Sequence, residues 1–514
     1  MRRPGREAAD GSVASRIFAG DATLWGPDAE SEASMRLGWT NLPEASRPLI
    51  DDVDNLRGEL RGRGLTHVVL CGMGGSSLAP EVICAAAGVP LTVLDSSHPD
   101  MVRAALSDRL DESVVVVSSK SGGTVETDSQ LRAFVEAFEQ AERDPAEHLV
   151  IVTDPGSPFD EAATAAGYRV FRADPHVGGR YSALSAFGLV PSGLAGADIS
   201  ALLDAASAAR PLLASDSPDN PALQLGNALG DAHEASVDKL VLLDAEGHGL
   251  GDWIEQLVAE STGKNGHGVL PVVVSSDQSA NYAPSLADEF LVITGASEPP
   301  QAVSGYSAAV TGELGAQFLL WETTVAIAGR VIGINPFDQP DVESAKQAAR
   351  DRLTAVNGDS ESPPISNDWI SVFGTSATTL ESAVDDLLSQ LDPNAGYVAI
   401  QAYLDRWTRA DYAGLRELVA AHTERPVTFG WGPRFLHSTG QLHKGGPATG
   451  VFLQITDEPQ EDLRIPGREF TFGPFIAAQA AGDGQVLRQH GRPVLRLHLA
   501  DSASSLPALR ELLS

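Results

Sequence analysis

Three short stretches gather glycines and hydroxyls, two of them with charged side chains among them. Residues 71–78 read CGMGGSSL, residues 118–127 read SSKSGGTVET, and residues 259–268 read AESTGKNGHG. The first two each follow an apolar run and lead into a helical pattern. Backbone N–H groups and the positive end of the helix dipole favour an anion at such a junction. Gly72, Gly74 and Gly75 allow close backbone approach, with Ser76 beside them. In the second turn Ser119, Ser121, Thr124 and Thr127 offer hydroxyl donors, and Lys120 adds a charge. One such turn alone reads equally well as an ordinary tight connection with a Ser N-cap. Two on neighbouring strands point to a phosphate ester. Neither is a nucleotide fingerprint, since GxxxxGK[ST] and GxGxxG are both absent there.

Three further residues could carry chemistry beside a phosphate. Arg180, after two glycines in HVGGRYSALSAFGL (176–189), could hold a fixed guanidinium against a ligand; its ordinary reading is a structural ion pair. Glu260 closes a helix whose Trp253, Ile254, Leu257 and Val258 mark the core face. A carboxylate there lies at the unfavourable end of the dipole, a placement suited to a general base; the ordinary reading is a solvent-facing glutamate. Lys346, in NPFDQPDVESAK (335–346), reads equally as a helix-surface lysine.

The elements that must position these residues alternate. HVVLCGM, LTVLD, SVVVVSSK, HLVIVTD and YRVFRAD are β-like runs separated by helical ones, the pattern of a doubly wound parallel sheet. A second α/β block holds DKLVLLDAE, VLPVVVS and EFLVITG, then a long helix from Gly312 to about Arg330. NGDSESPPISND reads as a linker. Beyond it lie the strands YVAIQAYL, PVTFGWG, GVFLQIT and PVLRLHLA with helices between them. The divisions are an N-terminal extension (1–60), α/β domains at 61–210 and 211–355, and a C-terminal α/β segment (356–514).

Composition bounds the partners. The chain has 514 residues and a formal charge of −33, which argues against nucleic acid or an anionic membrane. No apolar stretch is long enough to span a bilayer. The basic start, MRRPGREAADGSVASRIFAG, lacks an apolar core and reads as a short disordered tail. Two cysteines, Cys71 and Cys84, make no disulfide framework, so a reducing cytoplasm is expected. Of the 36 basic residues only Lys120, Lys239, Lys264, Lys346 and Lys444 are lysines.

Together these motifs resemble those of the glucose-6-phosphate isomerase family. VGGRYSALSA and INPFDQPDVESAK are similar to its two signature segments, and GMGGSS, SSKSGGTVET and AESTGK to its binding and base-bearing segments, in the same order. The likeness covers roughly residues 65–350 and extends, through GPRFLHSTGQLHKGGP, to the isomerase half of fused transaldolase–isomerase proteins. It implies two doubly wound parallel-sheet sugar-isomerase domains plus the C-terminal α/β segment. The implied reaction is the reversible aldose–ketose isomerisation of glucose 6-phosphate and fructose 6-phosphate through a cis-enediolate. By that resemblance Ser119, Lys120, Ser121 and Thr124 hold the phosphate, with Gly75 and Ser76 nearby. Glu260 is the base, Arg180 stabilises the enediolate, Lys346 assists ring opening, and Gln339 and Glu126 contact sugar hydroxyls. No metal or organic cofactor is implied, and a homodimer is usual.

One departure stands out. The family's ring-opening histidine, given across the dimer from a Gly-Gln-His-Ala segment, is replaced here by GELGAQFLLWE, with Ala316 or Gln317 at that place. His443 and His437, in RFLHSTGQLHKGG, are the candidates to replace it if that loop covers the sugar pocket, with His267 third. Other readings are a dual phosphoglucose/phosphomannose isomerase, a non-catalytic sugar-phosphate sensor, and a C-terminal segment that is a separate binding module.

Overall fold

Runs of β-branched residues with no polar alternation belong in strands covered on both faces, and the first sheet is built that way. In the computed structural model, which describes residues 12–341, 347–350, 352–353 and 363–514, every residue of β1 (His67–Gly72) and β3 (Ser113–Ser118) is buried. With β2 (Thr92–Leu94), β4 (Leu149–Thr153) and β5 (Arg169–Arg172) they form a parallel sheet of order β2-β1-β3-β4-β5. The second sheet, also parallel, runs β7-β6-β8-β9, from β6 (Lys239–Asp244), β7 (Leu270–Val274), β8 (Glu289–Thr294) and β9 (Ser307–Val310).

The third sheet is mixed. Its parallel part comes from β12 (Tyr397–Tyr403), β13 (Val427–Trp431), β14 (Gly450–Asp457) and β15 (Val494–Leu499). An antiparallel edge, β10 (Ile365–Ser366) and β11 (Ile370–Phe373), completes the order β10-β11-β15-β14-β12-β13. The α/β class and the parallel sheets agree with the sequence. That edge and β9 are additions: each is four residues or shorter, too brief for periodicity to announce. β10 also falls inside the stretch read as a linker, much of which lies outside the described residues. So do residues 1–11 of the expected tail, whereas Val13–Phe18 is already helix, with Ile17 fully buried.

Packing explains how three sheets make one site. One apolar cluster joins the N-terminal helices (Ile17, Trp39, Val53), one face of the first sheet (Leu70, Val116) and the second (Leu240, Leu242, Trp253). The opposite face of the first sheet, through Val115 and Val117, meets Phe134 and Phe138 of the helix Val125–Gln140, and Phe472 and Phe475 from the C-terminal segment. The far face of the second sheet, through Val241 and Leu291, meets Tyr397, Phe452 and Leu487. Ion pairs reinforce the junction: Arg434 reaches both Glu81 and Asp95 at 2.6 Å, and Arg406 reaches Asp95 at 3.0 Å. The C-terminal segment is therefore packed on both other sheets. Among the described residues no helix is long and apolar enough to cross a membrane.

Candidate active site

The site forms where turns after parallel strands converge, at the carboxyl edge where open α/β sheets place ligands. After β1 the chain makes a tight turn, Gly74–Ser76, pressed against a second one, Gly179–Tyr181. A Cβ on Gly75 would lie 2.0 Å from the Gly179 carbonyl oxygen, so only glycine permits the contact. Arg180 projects from the second turn and is 5 % exposed. Its guanidinium is held on all sides: Nε donates to Ser261 Oγ (2.9 Å), Nη2 to the Pro336 and Asp338 carbonyls (2.7 and 2.9 Å), and Nη1 to Gln339 Oε1 (3.3 Å). Nη1 also lies 3.6 Å from Glu260 Oε1. The planar fork of arginine suits this multi-sided grip.

Glu260 sits in the last turn of the helix Leu250–Thr262 and is 7 % exposed. Its second oxygen accepts from Gln256 Nε2 at 3.2 Å, and the same amide donates to the His437 carbonyl at 2.8 Å. His437 ends the short turn Arg434–His437, whose carbonyl would be 2.5 Å from a Cβ on Gly74. The His437 ring reaches the first sheet: Nε2 is 3.0 Å from Glu126 Oε1, which also accepts from Gln479 Nε2 at 2.7 Å. A chain of contacts thus runs Glu260–Gln256–His437–Glu126–Gln479 through all three packed segments.

Glu126 opens the helix Val125–Gln140 immediately after the hydroxyl-rich turn. Here Ser119 Oγ accepts from the Gly122 N–H (3.1 Å) and Ser121 Oγ from the Gly123 N–H (3.3 Å), while Gly122 takes φ +74°. Thr124 is the N-cap, and its side chain makes no capping bond. A cavity of about 250 Å³ opens against this turn, walled by Thr124, Glu126, His437, Phe475 and Gln479. Lys120 is turned elsewhere: Nζ pairs with Asp154 (2.9 Å) and donates to the Val177 carbonyl (2.7 Å).

The structure separates the two histidines that the sequence places in one loop. His443, on the helix Gly440–Gly445, enters the core instead, with its Nδ1 3.0 Å from the Tyr397 hydroxyl and its ring against Phe452. Burial, aided by the charges of Lys444 and Arg492, pushes its pKa down to about 3, so it is a neutral core residue and not a partner of Glu126. His267 is exposed beside His233. Gln317 is buried and bonds back to the Gly312 carbonyl at 3.0 Å. Lys346 lies outside the described residues.

Four side chains enter the site with little or no notice from the sequence. Gln256 precedes Glu260 by one helical turn, a spacing that puts both on one face. Ser261 adjoins Glu260 in the chain. Gln479 is more than three hundred residues from its partner and leaves no local signal. Lys264, fully buried, clamps the loop that carries Gln339: Nζ donates to the Asn335 carbonyl (2.7 Å), the Asp338 carbonyl (2.6 Å) and Asp338 Oδ1 (2.7 Å). Burial, with Arg180 nearby, lowers its pKa from 10.5 to about 8. Between these values the unfolded chain binds more protons than the folded one, so this group's contribution to stability rises with pH over that window. Lys264→Met is expected to abolish this slope in urea-unfolding midpoints between pH 8 and 10.5. Above pH 10.5 it should cost about 1–3 kcal/mol, because the loop carbonyls lose their donor, and less below pH 8, where Met also removes the burial penalty of the charge. Among the described residues no three His, Cys, Asp or Glu side chains are grouped to hold a metal ion.

Comparison with known proteins gives the class and then the family. The fold matches a crystal structure of a glucose-6-phosphate isomerase from Chlamydia trachomatis, which superposes with a TM-score of 0.52, covering 66 % of this chain and 77 % of that one at 20 % identity. The phosphoglucose isomerase family model matches residues 47–271. Glucose-6-phosphate isomerases from Thermosynechococcus vestitus and a Synechococcus strain are 31 % and 30 % identical over 354 and 390 residues. Those alignments cover 57 % and 60 % of this chain and 67 % and 71 % of the relatives. The chain belongs to the glucose-6-phosphate isomerase family of enzymes.

Proposed function

We propose that this enzyme interconverts glucose 6-phosphate and fructose 6-phosphate through a cis-enediolate. The observation that carries the reading is the Arg180–Glu260 pair, 3.6 Å apart, both members buried and each held by further bonds. Glu260 takes the proton from C2 of the open-chain aldose and returns it to C1, or the reverse from the ketose. Charge develops on the enediolate oxygens, and Arg180, already oriented by Ser261, Pro336 and Asp338, stabilises it without reorganisation. Ser76, Ser119, Ser121, Thr124 and the glycine N–H groups around them bind the phosphate at the helix start. Lys120 has its charge taken by Asp154, so it acts on the phosphate only from a distance. Gln339 and Glu126 receive sugar hydroxyls.

Ring opening needs a group that exchanges a proton with the ring oxygen, and Gln317 cannot supply one. His437 suits that proton exchange, because it borders the same cavity as Thr124 and Glu126, and Glu126 orients its imidazole. By the family resemblance, Lys346 assists ring opening. The test is turnover of fructose 6-phosphate in the presence of EDTA, read by a coupled dehydrogenase. Wild type should turn over, and His437→Ala should lose about 10²-fold or more in kcat on ring-closed substrate. Wild type that binds fructose 6-phosphate but does not turn it over would overturn the isomerase reading. An unchanged His437→Ala would remove that residue alone.

A further inference from the structure

A second cavity, about 480 Å³, lies at the start of β15, away from the turns described above. Two arginines meet on it, Arg488 and Arg492. The chain carries 69 Asp and Glu against 36 Lys and Arg, so most arginines find a carboxylate. Among the described residues neither of these two forms an ion pair. Arg492 is 6 % exposed, and its bonds go to backbone carbonyls alone: Nε to His443 (3.3 Å), Nη2 to Lys444 (3.2 Å) and Gly446 (2.7 Å). Asp341 acts on Arg492 only from a distance, and a buried guanidinium with no carboxylate in contact is unfavourable unless something supplies one.

The rest of the wall fits a particular kind of anion. Arg488 arches over Gly374, which takes φ +84°; a Cβ there would fall 2.4 Å from the Val494 carbonyl oxygen and 3.4 Å from Arg488 Nη1. Thr375 and Ser376 bring hydroxyls to the same wall, where Ser389 Oγ and Gln390 Nε2 both donate to the Asp386 carbonyl at 2.9 Å. Asp386 is also on the wall. A carboxylate repels a bare anion but accepts hydroxyl protons from an organic portion. Guanidinium pairs recognise phosphate by parallel charge-assisted bonds.

We propose that this cavity is a second anion site, taking a phosphate monoester that carries hydroxyl groups, with the phosphate on Arg488 and Arg492 and a hydroxyl on Asp386. A short relay of bonds joins it to the catalytic layer. Arg492 holds the carbonyls of the helix Gly440–Gly445, and Gln441 of that helix donates to the Gly263 carbonyl and to Asp341 Oδ2, both at 2.8 Å. Gly263 caps the helix that bears Glu260.

The experiment is equilibrium dialysis of the full chain against radiolabelled inorganic phosphate at fixed ionic strength, for wild type and Arg488→Ala. Arg488 is exposed and outside the catalytic machinery, so the variant should fold and keep its KM for fructose 6-phosphate. Wild type should bind two equivalents, and Arg488→Ala should weaken one of them about tenfold or more. Glycerol 3-phosphate should displace phosphate from the Arg488-dependent site at lower concentration than unlabelled phosphate does. Binding that Arg488→Ala leaves unchanged overturns the site. Displacement no better than by phosphate itself overturns the hydroxylated class. A single equivalent, lost in Arg488→Ala, would support this site and instead count against phosphate binding at the 119–124 turn.

Discussion

Glu260→Gln is expected to lower kcat for fructose 6-phosphate about 10³–10⁴-fold while leaving substrate binding within a few-fold. The amide keeps the shape of the side chain but cannot hold a proton between C1 and C2. It also loses the charge that faces Arg180 Nη1 at 3.6 Å, so the pocket becomes more positive and phosphate affinity should not fall. The coupled assay gives kcat, and protection against thermal unfolding by fructose 6-phosphate gives binding. Exchange of the C1 proton of fructose 6-phosphate with deuterated water, followed by NMR, should stop together with turnover. A variant that retains a tenth of wild-type activity would show that Glu260 is not the base.

Arg180→Lys should cost about 10²–10³-fold in kcat although the charge is kept. Arg180 makes four bonds in one plane, to Ser261, Pro336, Asp338 and Gln339. An ammonium cannot span those partners, so the Pro336 and Asp338 carbonyls lose a donor and the loop bearing Gln339 loses one of its clamps. Lys264 and Gln441 remain on that loop, which should hold the fold together and confine the loss to catalysis. The discriminating readout is the split between constants: kcat should fall further than KM rises. A lysine variant with a raised KM and unchanged kcat would make Arg180 a binding residue and not a stabiliser of the enediolate.

The sequence announces those parts of the site whose chemistry is local. Gly-rich turns after Val-rich strands can be read from neighbouring residues, because strand burial and helix starts depend on near neighbours. Arg180 and Glu260 are visible as types at turns, but nothing local says that they meet. Their contact depends on two sheets closing on each other, and it is resemblance, not spacing, that links them. His437 and His443 show the limit best. They are six residues apart in one Gly-rich stretch, yet one reaches Glu126 and the other is sealed against Tyr397. Which way each ring turns is decided by a short helix packed on the C-terminal segment, a tertiary choice that no periodicity records. Gln479 is further still from any sequence signal, since its partner lies on a helix packed against another sheet. The edge strands escape notice for the opposite reason: they are too short to show a period at all.

The Glu126–His437 contact has a consequence for how the enzyme behaves on dilution. The family resemblance implies a ring-opening histidine given by a neighbouring subunit. The residue proposed for that role here, His437, belongs to the same polypeptide as Glu126 and is carried by a turn that Arg434 anchors to Glu81 and Asp95. Thinning the solution cannot strip the pocket of that group. With His437 in that role, specific activity should hold constant on dilution from about micromolar to picomolar enzyme, and a loss of specific activity on dilution would show that a second subunit completes the site.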